Sequence, residues 1–349
     1  MPVCKEPFGA ARDGRPVDKY ILRRGALEAE ILTYGAALRA LRVPDRDGKP
    51  VDVVLGYDAV EAYETNGGYV GAVVGRYANR IAGAGCLIDG RRVSLVPNEG
   101  GKQLHGGPEG FSKQGFAAEA SGEDSVTLTY VSPGGQGGFP GQLTLRVTYT
   151  LTGSALSLRY EAASTETTHC NITNHAYFNL NGGGDAMGHV LWLASDAYTP
   201  VGPDSIPLSM SRPVTGTPLD FTVPKPLSQD IGADDEQLHN VGGYDHNFVL
   251  SPAQGLRLAA RLTGDRSGIT MEAWTEKPGI QFYSGNFLNA KGGKGGVDYV
   301  PRMGVCLETQ FFPDSPNHPE WGDILLRPGR RYDYTTEYRF PDAGKQAEP

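Results

Sequence analysis

Two stretches of the chain hold side chains able to move protons. The first, residues 171–180, reads NITNHAYFNL. At the two-residue period of a strand it turns Ile172, Asn174, Ala176, Phe178 and Leu180 one way, and Asn171, Thr173, His175, Tyr177 and Asn179 the other. An imidazole beside a phenol on a polar face suits the floor of a site, although an alternating strand also has a wet side that can carry a histidine without purpose. The second stretch, 305–311, reads VCLETQF and sets Glu308 and Gln310 opposite Leu307 and Thr309. A carboxylate inside an otherwise buried-looking strand is costly unless it is hydrogen-bonded or used. Glutamate ordinarily titrates at about 4.3 and histidine at about 6.5. Near neutral pH the first is a ready base, and the second needs a neighbouring acceptor or anion to stay protonated.

Other polar groups stand on glycine-rich segments. Residues 67–81, GGYVGAVVGRYANRI, surround Arg76, Asn79 and Arg80 with small residues. Glycine lets backbone or ligand come close, and the arginine fork suits hydroxyls and carboxylates; it pairs equally well with surface acids. GGKQLHGG at 100–107 displays His105 on a turn. GGYDHNFVL at 242–250 brings Asp245 and His246 to the mouth of a strand, and Ile280–Ser284 puts Gln281 and Tyr283 on one face.

The elements that must position these groups read as strands. Leu143, Leu145, Val147, Tyr149 and Leu151 alternate with polar residues, and Leu156, Leu158 and Tyr160 repeat the pattern beyond Gly153, which predicts a hairpin. Tyr20–Leu22, Leu27–Val43, Asp52–Leu55, Val126–Tyr130, Val190–Ala194, Leu256–Leu262, Ile269–Trp274 and Tyr332–Phe340 extend the series. One short helix is expected after Asp58, with Asp58 as cap, Glu61 three residues on, and Gly67–Gly68 as its end. The proline-rich connection Pro200–Pro226 is expected either to act or to cover a sheet edge.

Composition narrows the partners. The 349 residues carry a net charge of −8 without a basic run, which repels nucleic acid and fits small neutral ligands. Cys4, Cys86, Cys170 and Cys306 form no CxxC pair, so neither a zinc site nor a redox motif is suggested. The early charges Lys5, Glu6, Arg12 and Asp13 leave no signal-peptide core, and no apolar run approaches the ~18 residues of a membrane span. A cytoplasmic protein without membrane contact is the expectation. No internal repeat is evident, and KGGKGG at 291–296 lacks the ending of a phosphate loop.

GRYANRI (75–81), LHGG (104–107), GFPG (138–141), NITNHAYFNL, GYDHNF (243–248), PGIQFYSGNFL (278–288) and LETQFFPDSPNHP (307–319) together resemble the aldose 1-epimerases, or galactose mutarotases, in family order over roughly residues 8–340. The resemblance implies an all-β fold, one large antiparallel β-sandwich with a sugar cleft on one sheet. It implies a single domain over 1–349, with a core of about 8–340 and a loose tail at 341–349. It casts Glu308 as catalytic base and His175 as catalytic acid. His105, Arg80, Asn79, Asp245 and Gln281, joined by Tyr177 from the polar face, become substrate-binding residues. The reaction implied, exchange of α and β anomers of a free aldose such as galactose or glucose, needs one acid and one base and neither metal nor cofactor. Phe116, Leu208–Ser209 and Trp321–Gly322 depart from the family pattern, away from the acid and base. Competing readings are a hexose-6-phosphate epimerase, for which Arg76, Lys291 or Lys294 would supply cations, a glycosidase using Glu308 and Asp245, and a non-catalytic sugar-binding module. Oligomeric state is not legible.

Overall fold

The computed structural model describes residues 3–343 and is built from antiparallel strands, with two α-helices of six residues each among the described residues. Chain alternation dictates the layers. Leu143–Leu151 buries every odd-numbered side chain, as its sequence pattern requires, and pairs in register with Ala155–Ser164 from Leu143↔Ser164 to Leu151↔Leu156, forming the expected hairpin. These strands lie within a nine-stranded sheet that runs from Ala117–Ala120 at one edge through Tyr332–Arg339 to Lys225–Pro226 at the other.

A six-stranded sheet packs on it, in the order Tyr177–Phe178, Val305–Gln310, Gly279–Tyr283, Asp245–Val249, Ala197–Thr199, Arg212–Pro213. The two layers touch through Phe178 against Tyr338, with ring centroids 4.8 Å apart, and through the Tyr338 hydroxyl, which donates to the Leu307 carbonyl at 3.3 Å. One continuous apolar core joins both sheets and the five-stranded N-terminal sheet over Cys4–Asp52.

Register in the six-stranded sheet decides where chemistry can occur. Tyr177 faces Cys306, Gln281 faces Glu308, Asn247 faces Gln281 and Asp245 faces Tyr283. Directly opposed residues share a face, and so do residues two apart. Tyr177, Cys306, Glu308, Gln310, Gln281, Tyr283, Asp245 and Asn247 therefore lie on one face, while Phe178, Leu307, Ile280, Phe282 and Phe248 point into the core.

Three expectations change. Residues 171–180 are not one alternating strand with a wet side: all ten residues are buried, and the segment forms two short ladders, Thr173–Asn174 against Val73–Val74 and Tyr177–Phe178 against Val305–Cys306. The asparagines make this burial tolerable by bonding loop backbone. Asn174 Nδ2 donates to the Gly71 carbonyl at 2.7 Å and Asn179 Nδ2 to the Met303 carbonyl at 2.8 Å. The first helix, Val60–Thr65, starts at Ala59 without a side-chain cap, because Asp58 instead accepts from Arg39 at 2.6 Å and from the Gly295 N–H at 2.7 Å. A second helix, Glu236–Val241, was not signalled; Asp235 caps it by accepting from Gln237 N. The proline-rich connection covers edges at both sheets, Arg212–Pro213 pairing with Ala197–Tyr198 and Lys225–Pro226 with Val190–Leu191. Pro341–Ala343 form a turn, and the rest of the expected tail, 344–349, lies outside the described residues.

Candidate active site

A cavity of about 180 Å³ opens on the polar face of the six-stranded sheet and collects Asn79, Arg80, His105, His175, Tyr177, Asp245 and Glu308 from separate segments. Seven of the eight candidate residues line it. Gln281 does not; it lines an adjoining recess behind Asp245, to which its Nε2 donates at 2.6 Å. Gln310 Nε2 in turn donates to Gln281 Oε1 at 3.1 Å and to Asn247 Oδ1 at 3.2 Å, so a row of amides holds the aspartate from below.

Glu308 and His175 form the centre. His175 Nε2 stands 3.7 Å from Glu308 Oε1, and both side chains are almost fully buried. Glu308 Oε2 has no hydrogen-bond partner among the described residues. Burial drives the Glu308 carboxyl well above the usual carboxylate range, the Asp245 charge adds to this, and Arg80 opposes it. Burial also pushes His175 down to about 4, against a small opposing effect of its own backbone carbonyl. An acid held up and an imidazole held down across one gap have unequal proton affinities set by environment, the usual preparation for acid and base work.

His105 is fixed by its loop. His105 N donates to the Asn79 carbonyl and Asn79 N donates to His105 Nδ1, each at 3.1 Å. The LHGG glycines are required there: Gly106 sits at φ 86°, and a Cβ on it would come within 1.9 Å of the Gly75 carbonyl oxygen. With Nδ1 accepting, neutral His105 carries its proton on Nε2. Tyr69 packs edge-on against His105 at 4.7 Å and in a tilted arrangement against His175 at 5.8 Å between centroids.

Donor atoms of His105, His175 and Glu308 lie within 4.8 Å of one another, close enough to raise the question of a metal ion. The His105 ring answers against it. One nitrogen spends its lone pair on the Asn79 N–H and the other carries the proton, so no donor pair remains for a metal. Proton transfer and hydrogen bonding to a polar ligand are what the arrangement can do.

The two arginines part company. Arg80 makes a two-point contact with Glu99 at 2.7 and 2.8 Å and borders the cavity, its charge held despite burial by Glu99 and by the nearby Asp245. Arg76 lies outside the cavity, buried among backbone carbonyls. Lys294 is committed to Asp52 and to two carbonyls, and Lys291 to Asp298. The cations on which a phosphate reading depended are thus spent elsewhere.

Sequence reasoning missed Tyr69, Glu99, Leu104 and Phe287 as lining residues, and gave Tyr283 a face without a role. Glu99 had a signal, an acid just before the GGKQLHGG loop that carries His105. Tyr69 and Phe287 had none, since an aromatic beside glycines reads equally well as core.

A family model described as aldose 1-epimerase matches residues 18–339. The galactose mutarotase of Rattus norvegicus is 42% identical over 342 residues, covering 97% of this chain and 98% of its own. The aldose 1-epimerase of Escherichia coli K12 is 39% identical over 344 residues, covering 97% and 99%. Among solved structures, galactose 1-epimerase from Lactobacillus acidophilus superposes with a TM-score of 0.84 at 26% identity, over 97% of this chain and 98% of that one. The aldose epimerase homologue from C. elegans gives a TM-score of 0.83 at 30% identity, over 92% and 98%. With a family model over most of its length and near-complete coverage at this level of identity, the chain belongs to the aldose 1-epimerase family.

Proposed function

We propose that this enzyme interconverts the α and β anomers of free aldohexoses such as galactose and glucose, with Glu308 as the group facing the anomeric hydroxyl and His175 as the group facing the ring oxygen. The observation that carries the reading is the buried Glu308 carboxyl, 3.7 Å from His175 Nε2 with its second oxygen unpartnered, on the floor of a small polar cavity. An unpartnered buried oxygen is tolerated when a ligand supplies the missing hydrogen bond.

A carboxylic acid beside a neutral imidazole holds as many protons as a carboxylate beside an imidazolium. The pair therefore carries one transferable proton in either form. Burial favours the neutral form, and a polar ligand in the cavity brings the charged form within reach. Glu308 then takes the proton of the anomeric hydroxyl while His175 gives one to the ring oxygen. The bond between the anomeric carbon and the ring oxygen breaks as the aldehyde forms. After rotation about the adjacent carbon–carbon bond, closure on the other face returns both protons, and no charge is left over. Each positioned acid or base is worth about 10² to 10⁴ in rate. Asn79, Arg80, His105, Tyr177 and Asp245 are assigned to holding hydroxyls, with Gln281 acting through Asp245.

Polarimetry on freshly dissolved α-D-galactose and α-D-glucose tests the reading. Wild type should speed the approach to the same final rotation, and Glu308→Gln and His175→Asn should lose the acceleration. A wild type that matches buffer while still binding sugar would leave a sugar-binding module instead.

A further inference from the structure

His175 has a second ring nitrogen, and what that atom touches decides which nitrogen can carry the transferable proton. Nδ1 lies 3.5 Å from Cys306 Sγ. Cys306 is fully buried on the strand that carries Glu308, directly across from Tyr177 in the ladder. Among the described residues no other side chain hydrogen-bonds Nδ1, and the other acceptor that bears on the ring is the His175 backbone carbonyl, which also accepts from the Gly71 N–H at 2.9 Å. We infer that Cys306 is a positioning residue: its sulfur accepts the Nδ1–H of His175, keeps that proton on Nδ1, and leaves Nε2 as the nitrogen that loads and unloads the proton facing Glu308. The inference rests on the reading of His175 as the acid.

The choice of a thiol has a physical sense. A carboxylate behind an imidazole would stabilise the imidazolium and make it a weak acid. Sulfur is a weak, neutral acceptor that orients the ring while adding little to its proton affinity. Burial holds the Cys306 thiol well above its ordinary range, so it stays uncharged beside the ring. The contrast with His105 is internal to the site. Its Nδ1 receives the Asn79 N–H and must be unprotonated, which locks it as an Nε2–H donor. The cleft then holds two histidines in opposite tautomers, one a fixed donor and the other a proton carrier.

The test is ¹⁵N NMR of the histidine rings near neutral pH, with His175→Asn and His105→Asn used to assign the two signals, together with polarimetry on Cys306→Ala and Cys306→Ser. Wild type should show His175 protonated at Nδ1 and His105 at Nε2. Cys306→Ala should move His175 toward the Nε2–H form and lower kcat roughly three- to tenfold, the population ratio one modest hydrogen bond commands, with KM unchanged. Cys306→Ser, whose hydroxyl accepts as well, should restore both. A wild-type His175 protonated at Nε2 overturns the inference without any variant. So does a Cys306→Ala protein that keeps both the Nδ1–H form and full kcat. The spectra do not depend on turnover: failure of the acid–base reading shows as a wild type no faster than buffer, and failure of this inference shows in the tautomer.

Discussion

Arg76 and Glu308 are both ionisable side chains about 2% exposed, and the fold treats them in opposite ways. The Arg76 guanidinium has no carboxylate partner among the described residues, yet Nε donates to Ser132 Oγ at 2.9 Å, Nη1 to the Pro140 carbonyl at 2.9 Å, and Nη2 to the Pro133 and Ser132 carbonyls at 2.7 and 3.1 Å. Burial lowers its pKa to about 10, which still leaves it a cation at neutral pH. Glu308 is offered one imidazole at 3.7 Å and nothing at its second oxygen. A buried ionisable group whose nitrogens are all engaged holds segments together, whereas one left short of partners is kept for something that arrives later. Neighbouring strands of the six-stranded sheet and several loops supply the Glu308 surroundings, and none of them closes on it.

If that contrast is right, changes at the two sites should separate activity from stability. The largest effect is expected at Glu308→Gln and His175→Asn, each lowering kcat by about 10² to 10⁴, read by polarimetry, with a melting temperature equal to wild type or higher. Arg76→Met should do the reverse. It leaves three carbonyls and a hydroxyl without a donor, at about 1–3 kcal/mol for each group that stays dry, so urea unfolding should show a loss of several kcal/mol while kcat per folded molecule stays near wild type. A Glu308→Gln protein that unfolds as readily as Arg76→Met would break the comparison.

Titration sharpens the same point. With His175 held down to about 4 and Glu308 held up, the one-proton form of the pair spans neutral pH, so kcat/KM should form a plateau. It should fall near pH 4 as His175 gains a second proton for the pair, and fall on the alkaline side above the ordinary carboxylate range as Glu308 loses the last one. Stability follows with the sign set by each shift. His175 is depressed, so its contribution is complete above about 6.5 and is lost as pH falls toward 4. Glu308 is raised, so its contribution is complete at low pH and is lost as pH rises through the raised value. The advantage of Glu308→Gln in unfolding free energy should therefore widen with rising pH.

Much of this is legible in the sequence. Period two in Leu143–Leu151 dictated a hairpin and hence a sheet, because each side chain's face is a local property of the strand. Glu308 stood out for the same reason, a charge placed where the pattern demanded burial. The course of residues 171–180 was not legible. Asn171 and Asn179 look like a solvated face, and Asn174 like a polar exception on the apolar one, until the loops at Gly71, Phe311 and Met303 come in to bond them, and those contacts span up to about 140 residues of sequence. Residue type and spacing alone could not say which of two arginines four residues apart borders the cleft; the family resemblance picked Arg80, and Ser132, Pro133, Pro140 and Glu99 make that choice physically. Face is encoded locally; satisfaction is a property of the closed fold.

The smallest effect expected is at Gln281. Its side chain sits one layer behind the cavity, and its 2.6 Å hydrogen bond to Asp245 fixes an aspartate that burial pushes up and that Arg80 and this same bond pull down. Gln281→Ala would loosen Asp245 and weaken its hold on a sugar hydroxyl in ground state and transition state alike. The expected outcome is a KM for galactose raised about three- to tenfold, with kcat within a factor of about two of wild type. Gln281 thus stands between the two extremes of the comparison, buried and bonded like Arg76 but bonded to a residue the ligand needs. A fall in kcat matching that of Glu308→Gln would place it with the proton-transfer pair, and a loss of stability with unchanged KM would place it with Arg76.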